Sequence, residues 1–446
     1  MIFKDKYLFQ QKFIFLFLIT TVSVFPFIYL SRYNLLLSDE FIAMHYRKKM
    51  NLIQYIYFGF NTWTGRYTSN FLEVIYPLKI NYLFYQLIPL FTGFLLFTLL
   101  YCIIKNLSDK LLLFKTILIF IFILNYLPSI ADFYYYVPAV IIYTISILII
   151  LSCIFIWTTS IQAKYKFLYF IFTNILILGT TELYIPLVLF LSFVFLINAI
   201  KKNEHIILNS INFGIVLTII ILLLSMKGNM QRYGSQKIEL SIFNCISNYY
   251  FAIKLWTTRF LIVIPFIILF ISYIKSNSNK NPNYCNSIQN SHIIIFAAGY
   301  LLIFTPLLFI NILDYKRIGN LFFLYFLFLN FLIAFKYVPK LSFWQKNIRI
   351  IVILATLVFF ISGNIKRSYV DIKNSYTKNY SIELKKRYVF LEQNKNSSTL
   401  EIKKIPVNDY ILSVQDVNVS EDNDLAKLIY QRYYHIDSII FKIDYE

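Results

Sequence analysis

The sequence predicts an all-α polytopic membrane protein with about eleven transmembrane helices, and three observations predict it. The 446-residue chain is 59% hydrophobic and 20% aromatic, more Ile, Leu, Phe and Tyr than a soluble core can bury. Its apolar residues gather in runs without Lys, Arg, Asp or Glu: 13–30, 81–104, 116–127, 139–158, 167–178, 185–200, 207–226, 260–274, 293–311, 320–335 and 350–362. With a few interfacial residues added, such runs approach the ~20 residues that cross a bilayer. Finally, the charges of the first 360 positions fall between those runs. The formal charge of +20 is carried almost wholly by this half, scattered over its loops. That placement points to topology and lipid contact and speaks against nucleic acid as a partner.

Taken in order, Lys4, Lys6 and Lys12 precede the first run, and no small-residue cleavage site follows it, so it is expected to stay as a first helix. With the N-terminus in the cytoplasm and the runs alternating, the cytoplasmic segments are the richer in Lys and Arg. The segments 31–80, 128–138, 179–184, 227–259, 312–319 and the tail from 363 then face outward. They hold Asp39, Glu40, Glu73, Asp132, Glu182, Glu239 and Asp314.

Two units follow: a transmembrane module over 1–362 and an extracytoplasmic tail or small domain over 363–446. The first outer loop, 31–80, is long for a helix connection, a sign of function or structure. Within it Asn51 to Phe60 and Thr68 to Tyr76 suit helices lying in the interface, with Trp63-Thr64-Gly65-Arg66-Tyr67 between them. In the tail, Thr399 to Ile402 and Tyr410 to Val419 suggest strands and Asp424 to Tyr433 a helix, together a small α/β lobe. No internal repeat shows. Ten glycines form no phosphate-cradling loop. Four cysteines make no framework, and four widely spaced histidines support neither a zinc site nor a Ser-His-Asp arrangement.

The chemistry-bearing candidates each have a plainer counterpart. Asp39 and Glu40, at a membrane mouth, can take a proton from an acceptor or hold a divalent cation, while Ser38 or Asp39 equally caps a helix beginning near Phe41. Arg66 suits bidentate contact with phosphate, or simply snorkels among aromatics. Lys227, Gly228, Asn229 and Arg232 combine cations with tight backbone approach, or mark the stop of a helix. Glu182, held in a very short turn after Thr180-Thr181, contacts an acceptor sugar, pairs with an Arg, or sits in a first helical turn behind a Thr cap. Asp132 beside Tyr134, Tyr135 and Tyr136 resembles a carbohydrate platform or an aromatic belt. Lys316 and Arg317 are phosphate ligands or a solvated loop.

The acid pair Asp39-Glu40, the Trp63-x-Gly65-Arg66 segment, the Glu182 turn and Gly228-Asn229-x-x-Arg232, in that order over about residues 1–335, resemble the GT-C superfamily of membrane glycosyltransferases, in particular a bacterial multi-pass family of the glucosyltransferase type. Two positions depart from the pattern: Glu40 stands where Asp is common, and Lys227 where Pro is expected. The resemblance implies a GT-C fold in the bacterial inner membrane, with a polyprenyl-phosphate-linked sugar as donor. A cell-surface glycan, lipid or protein is then the acceptor. It implies Asp39 as base, assisted by Glu40, and Arg66, Lys227, Arg232, Lys316 and Arg317 around the donor phosphate. Trp63, Asp132, Tyr135, Glu182 and Asn229 fall to the sugar or acceptor. An O-antigen or capsule polymerase or ligase is the alternative enzyme, and a lipid-linked glycan transporter or flippase the alternative from another class.

Overall fold

The computed structural model describes residues 2–36, 38–59, 61, 66–75, 77, 79–107, 112–159, 161–226, 242–276, 290–305, 316–337, 358, 362–403, 405 and 425–442. The chain is predominantly helical. After α1 (Ile2–Ser31) come three short helices, α2 (Ser38–Lys49), α3 (Leu52–Phe58) and α4 (Tyr67–Leu72). The long apolar helices follow: α5 (Tyr82–Leu107), α6 (Leu112–Tyr126), one-turn α7 (Val137–Ala139), α8 (Ile145–Thr158), α9 (Ala163–Leu178), α10 (Ile185–Lys202) and α11 (Ile206–Ser225). Then come α12 (Ile242–Phe260), α13 (Ile264–Ser276), α14 (Asn290–Leu302) and α15 (Lys316–Tyr337). The tail adds α16 (Gly363–Asn374), α17 (Tyr376–Gln393), β1 (Thr399–Lys403), α18 (Leu425–Tyr434) and β2 (Ser438–Lys442).

The charge-free runs coincide with these helices. The run 350–362 lies outside the described residues but for 358 and 362, and 293–311 leaves them at 306. Among the described residues four helices are, by length and composition, able to cross a membrane: Tyr82–Asn106, Val137–Thr158, Glu182–Lys202 and Ile206–Ser225. A fifth is added if Ile246–Phe260 and Ile264–Ser272, bent by 51°, form one span. Phe17–Ser31, Leu112–Tyr126, Ile293–Leu302 and Ile318–Ala334 are apolar but shorter. A 15-residue helix such as α6 is only about 22 Å long against ~30 Å of hydrocarbon. Absence of charge marks where helices form, and among the described residues four or five of those helices have the length to span.

Between α6 and α8 the helical period breaks. Pro128 and Pro138 lack an N–H, and the segment takes two π-helical turns, Ala131–Tyr135 and Val140–Thr144, around α7. Tyr136 N–H accordingly reaches back five residues to the Ala131 carbonyl at 2.9 Å. Backbone groups freed in an apolar bundle need partners, and asparagines from distant elements supply them. The Asn34 amide donates to the Tyr85 and Tyr135 carbonyls at 2.7 and 2.9 Å. Asn320 of α15 accepts from Ser129 N–H and donates to Ser129 C=O. Asn364 of α16 donates to the Leu124 and Leu127 carbonyls, while Asn125 accepts from Ile365 N–H. Gly363 makes this last approach possible. Its φ of +72° lies in the left-handed region, and a Cβ there would stand 2.5 Å from the Asn125 carbonyl.

A second apolar core joins the first loop to the tail. Phe41 of α2 packs among Tyr388, Tyr430, Tyr433 and Tyr434, with ring centroids 5.2, 5.3, 4.9 and 5.9 Å away. Leu36, Met44, Leu384, Leu391, Ile402 and Ile439 complete it. Strands β1 and β2 pair in parallel, Thr399 opposite Ser438, and a parallel pair requires a long crossover, in which α18 lies. The strand and helix expected at Thr399 to Ile402 and Asp424 to Tyr433 thus appear as β1 and α18. The expected strand Tyr410 to Val419 lies outside the described residues. The tail does not stand apart from the transmembrane module, since α16 packs on α1 and α6 while α18 roofs α2.

Replacing Asn320 with Ala leaves both backbone groups of Ser129 without their described side-chain partner. The expected loss is about 1–3 kcal/mol of stability, read as a lower thermal midpoint of the detergent-solubilised protein. Phe41→Ala opens a cavity in the shared core and should cost about 3–5 kcal/mol, with proteolysis of the tail appearing at lower temperature than for the parent.

Candidate functional site

The first loop is a built structure rather than a tether. Asn51 caps α3 by accepting from Gln54 N–H, and the Gln54 side chain accepts from Asn51 N–H in return, a capping box. The Tyr55 hydroxyl donates to Glu73 Oε2 at 2.6 Å, and burial, then the Glu73 charge, hold that phenol well above its ordinary range. Arg47 of α2 donates to the Val74 carbonyl. Exposed Ile53, Tyr57, Phe71 and Ile75 give α3 and the α4 region the apolar surface expected of interfacial helices.

Arg66 and the start of α4 fasten this loop to the bundle. The Nε and one terminal nitrogen of Arg66 both lie 2.9 Å from Glu182 Oε2, with the two side chains only 13% and 16% exposed. Directly after Arg66, the α4 N–H groups of Thr68 and Ser69 donate to the Gly179 carbonyl at 2.9 and 3.2 Å, using donors that a helix start leaves over. Ser69 Oγ donates to the Thr180 carbonyl at 3.0 Å, and the Tyr67 hydroxyl to the Ile175 carbonyl. Burial pushes the Tyr67 phenol up to about 12. Gly179 is required here by space, because a Cβ would stand 2.2 Å from Thr68 Oγ1 and 2.4 Å from the Tyr67 ring. On the bundle side Thr181 caps the short turn Glu182–Tyr184, its hydroxyl accepting from Leu183 N–H. Of the roles considered for Glu182, the structure displays two at once: it pairs with an arginine and opens a helical turn behind a Thr cap.

The remaining candidates are distributed as follows. Asp39 and Glu40 lie in the first turn of α2. Glu40 is 1% exposed and close enough to the buried Tyr85 for its charge to act on that phenol, so it is an interior carboxyl rather than one at an open mouth. The Asp39 side chain lies outside the described residues, as do Trp63, Lys227, Asn229 and Arg232. Lys316 and Arg317 begin α15, their side chains likewise outside the description.

Asp132 sits in a local cap: Ser129 Oγ donates to its Oδ2 at 2.7 Å and accepts from its N–H at 3.2 Å. Tyr135 is 2% exposed and donates its hydroxyl to the Phe27 carbonyl at 2.8 Å. With Phe133, Tyr134 and Tyr136 also buried, these rings fill the interior and present no platform to a sugar. The whole irregular segment lies inside the bundle, so residues on every side of it are covered, which the sequence alone does not signal.

Helix α2 leans on α7, and α4 on the π-helical turn that follows it. The acid-bearing start of α2 and the Arg66–Glu182 pair are therefore carried by helices seated on one continuous irregular segment, 137–144. Among the described residues no three His, Cys, Asp or Glu side chains group as a metal-holding set. One gathering of ionisable groups went unmarked in the sequence. The basic last turn of α2 meets His435 across the α2–α18 seam, and 390 positions of separation hide that neighbourhood from any local pattern. Comparison of the chain with family models, with curated proteins and with solved structures returns no match.

The Arg66–Glu182 contact is testable as a pair. In a cycle of Arg66→Gln, Glu182→Gln and the double variant, each single should lower the thermal midpoint, and the double should lower it by less than the sum of the two. A coupling of about 1–3 kcal/mol is expected for partners this sheltered, and a coupling near zero would make the contact incidental to the docking of α4.

Proposed function

We propose that the protein is a GT-C-type glycosyltransferase of the bacterial inner membrane, its N-terminus in the cytoplasm. It moves a sugar from a polyprenyl-phosphate-linked donor to a cell-surface glycan, lipid or protein on the extracytoplasmic face. The observation that supports this most is the anchoring of the first loop: the Arg66–Glu182 pair and the Gly179 carbonyl hold a loop that carries the acid pair against apolar helices. A loop held this way gives a carboxylate a fixed position beside the membrane, which proximity catalysis needs.

The chemistry follows from the donor. A polyprenyl phosphate leaves as a weakly basic anion, so the leaving group needs cations more than an acid. Asp39 takes the acceptor hydroxyl proton as the acceptor oxygen bonds to the sugar's anomeric carbon and the bond from that carbon to phosphate oxygen breaks. Glu40, buried beside Tyr85, is better placed to hold the start of α2 and shape the field at Asp39 than to meet substrate. Lys227, Arg232, Lys316 and Arg317 are the phosphate cations. Arg66, already engaged with Glu182, serves first as the clasp of the loop.

One observation favours a transporter of lipid-linked glycans as the second reading. The π-helical turns and Pro138 within 131–144, and the 51° bend between Ile246–Phe260 and Ile264–Ser272, are interruptions of the kind that transporters place around substrate. Such a protein moves its cargo without making or breaking a glycosidic bond.

Membranes carrying Asp39→Asn should show sugar transfer reduced by about 10²–10⁴-fold, with thermal unfolding unchanged. Mass spectrometry of the lipid-linked sugar and of the acceptor product gives the readout. Unchanged turnover would remove Asp39 as base, and cargo crossing the bilayer chemically intact would favour the transporter.

A further inference from the structure

We propose that the seam between the last turn of α2 and the end of α18 is a phosphate-binding site, separate from the donor-phosphate residues above. His45, Lys48 and Lys49 come to it from α2, and Arg432 and His435 from α18 and the turn after it. The two imidazole rings lie 6.3 Å apart between centroids. Lys48 Nζ sits 4.2 Å from the Tyr433 ring centre and donates to the Tyr433 hydroxyl at 3.0 Å, which fixes one cation at the edge of the seam. His435 takes a left-handed backbone conformation, φ 56°, which turns the chain sharply between α18 and β2.

Among the described residues the charges acting on His45 are cationic. Burial comes first and then Lys49, His435, Arg432 and Lys48 in lowering its affinity for a proton below that of an ordinary imidazole. Of the other elements packed on α2, α3 and α7 carry no Asp, Glu, Lys, Arg or His. Glu392 of α17 acts on Lys48 from the margin and is itself paired with Lys395. Complementing the helix dipole explains Lys48 and Lys49 at the end of α2. It does not explain His435, whose ring lies beside that of His45, or Arg432, whose charge acts on His45 from α18.

Packing of Phe41 among the tail tyrosines drives these like charges together, and a compact dianion is the species that relieves their repulsion. A phosphate offers several acceptor oxygens to guanidinium, ammonium and imidazolium donors at once. The phosphate belongs either to a lipid headgroup or to a soluble phosphate ester. Binding is linked to protonation: an anion in the seam favours charged His45, so affinity must rise as pH falls through the histidine range, by reciprocity.

The experiment is calorimetric titration of the detergent-solubilised full chain with inorganic pyrophosphate, and with sulfate, whose charge does not change over the range used. Arg432→Gln and Lys49→Gln should each weaken pyrophosphate binding about tenfold or more, the worth of one charge-assisted hydrogen bond, and Arg432→Lys should recover part of it. Sulfate should bind more tightly at about pH 5.5 than at about pH 7.5, and His45→Gln should remove that gain. In nanodiscs, loss of pyrophosphate binding when phosphatidic acid is added to phosphatidylcholine would support the headgroup as the source. Unchanged binding there would support a soluble ester. No binding by the parent chain, or equal binding by all variants, would overturn the site. None of these readouts involves sugar transfer, so their failure and that of the Asp39 assignment are independent.

Discussion

A helix broken inside an apolar bundle exposes backbone N–H and C=O groups that lipid cannot satisfy, and the rest of this structure is arranged around that demand. The break lies between Leu124 and Thr144, and its repair comes from outside: Asn34 at the start of the first loop, Asn320 on α15 and Asn364 on α16. Each amide serves two backbone groups, so a handful of side chains ties three remote parts of the chain to one segment. Leaving a buried amide unpaired costs several kcal/mol in such surroundings. The asparagines therefore fix the mutual placement of loop, bundle and tail more firmly than apolar packing alone would, because packing tolerates sliding and a bidentate amide does not.

From that repaired segment the functional geometry follows. Helix α2 stands on α7 and α4 on the turn after it, and the loop between and beyond them is pulled onto the bundle by Gly179 and Glu182. A carbonyl receiving two N–H groups, a sheltered ion pair and a glycine with no room for a methyl group describe a joint that opens only at considerable cost. Acids and cations carried by such a loop keep their distance from the membrane helices, which is the condition under which carboxylate or guanidinium chemistry at a bilayer edge becomes effective.

Much of this was legible in the sequence, and the reasons differ by element. The charge-free runs located the long helices because exclusion of charge is a direct response to the apolar environment. The helices expected at Asn51 to Phe60 and Thr68 to Tyr76 appear as α3 and α4, and for α3 the capping chemistry at Asn51 and Gln54 is local. What escaped was whatever depends on winding or on distance along the chain. Two π-helical turns carry no periodic signature, so Tyr134, Tyr135 and Tyr136 read as a carbohydrate platform or an aromatic belt, whereas they fill the core. Helices α16 and α17 go unmarked in a tail where the sequence suggests short strands and a single helix near its end. Charge partners such as Arg66 and Glu182 could be named singly, yet their 116-residue separation left the pairing as one option among several. The Asp39 side chain and the Lys227 to Arg232 stretch lie outside the described residues.

The embrace of Phe41 by tyrosines from the far end of the chain has a consequence for biosynthesis. When α2 leaves the ribosome, its roof is some 390 residues away, and at ordinary elongation rates roughly 20–80 s pass before Tyr430 to Tyr434 are made. Throughout that interval an aromatic side chain and a strongly basic helix end wait uncovered beside the nascent bundle. Native assembly of the first loop is therefore a late event, completed only when α18 and β2 arrive. Until then the loop is held by its clasp at Gly179 and Glu182, contacts made less than halfway through synthesis.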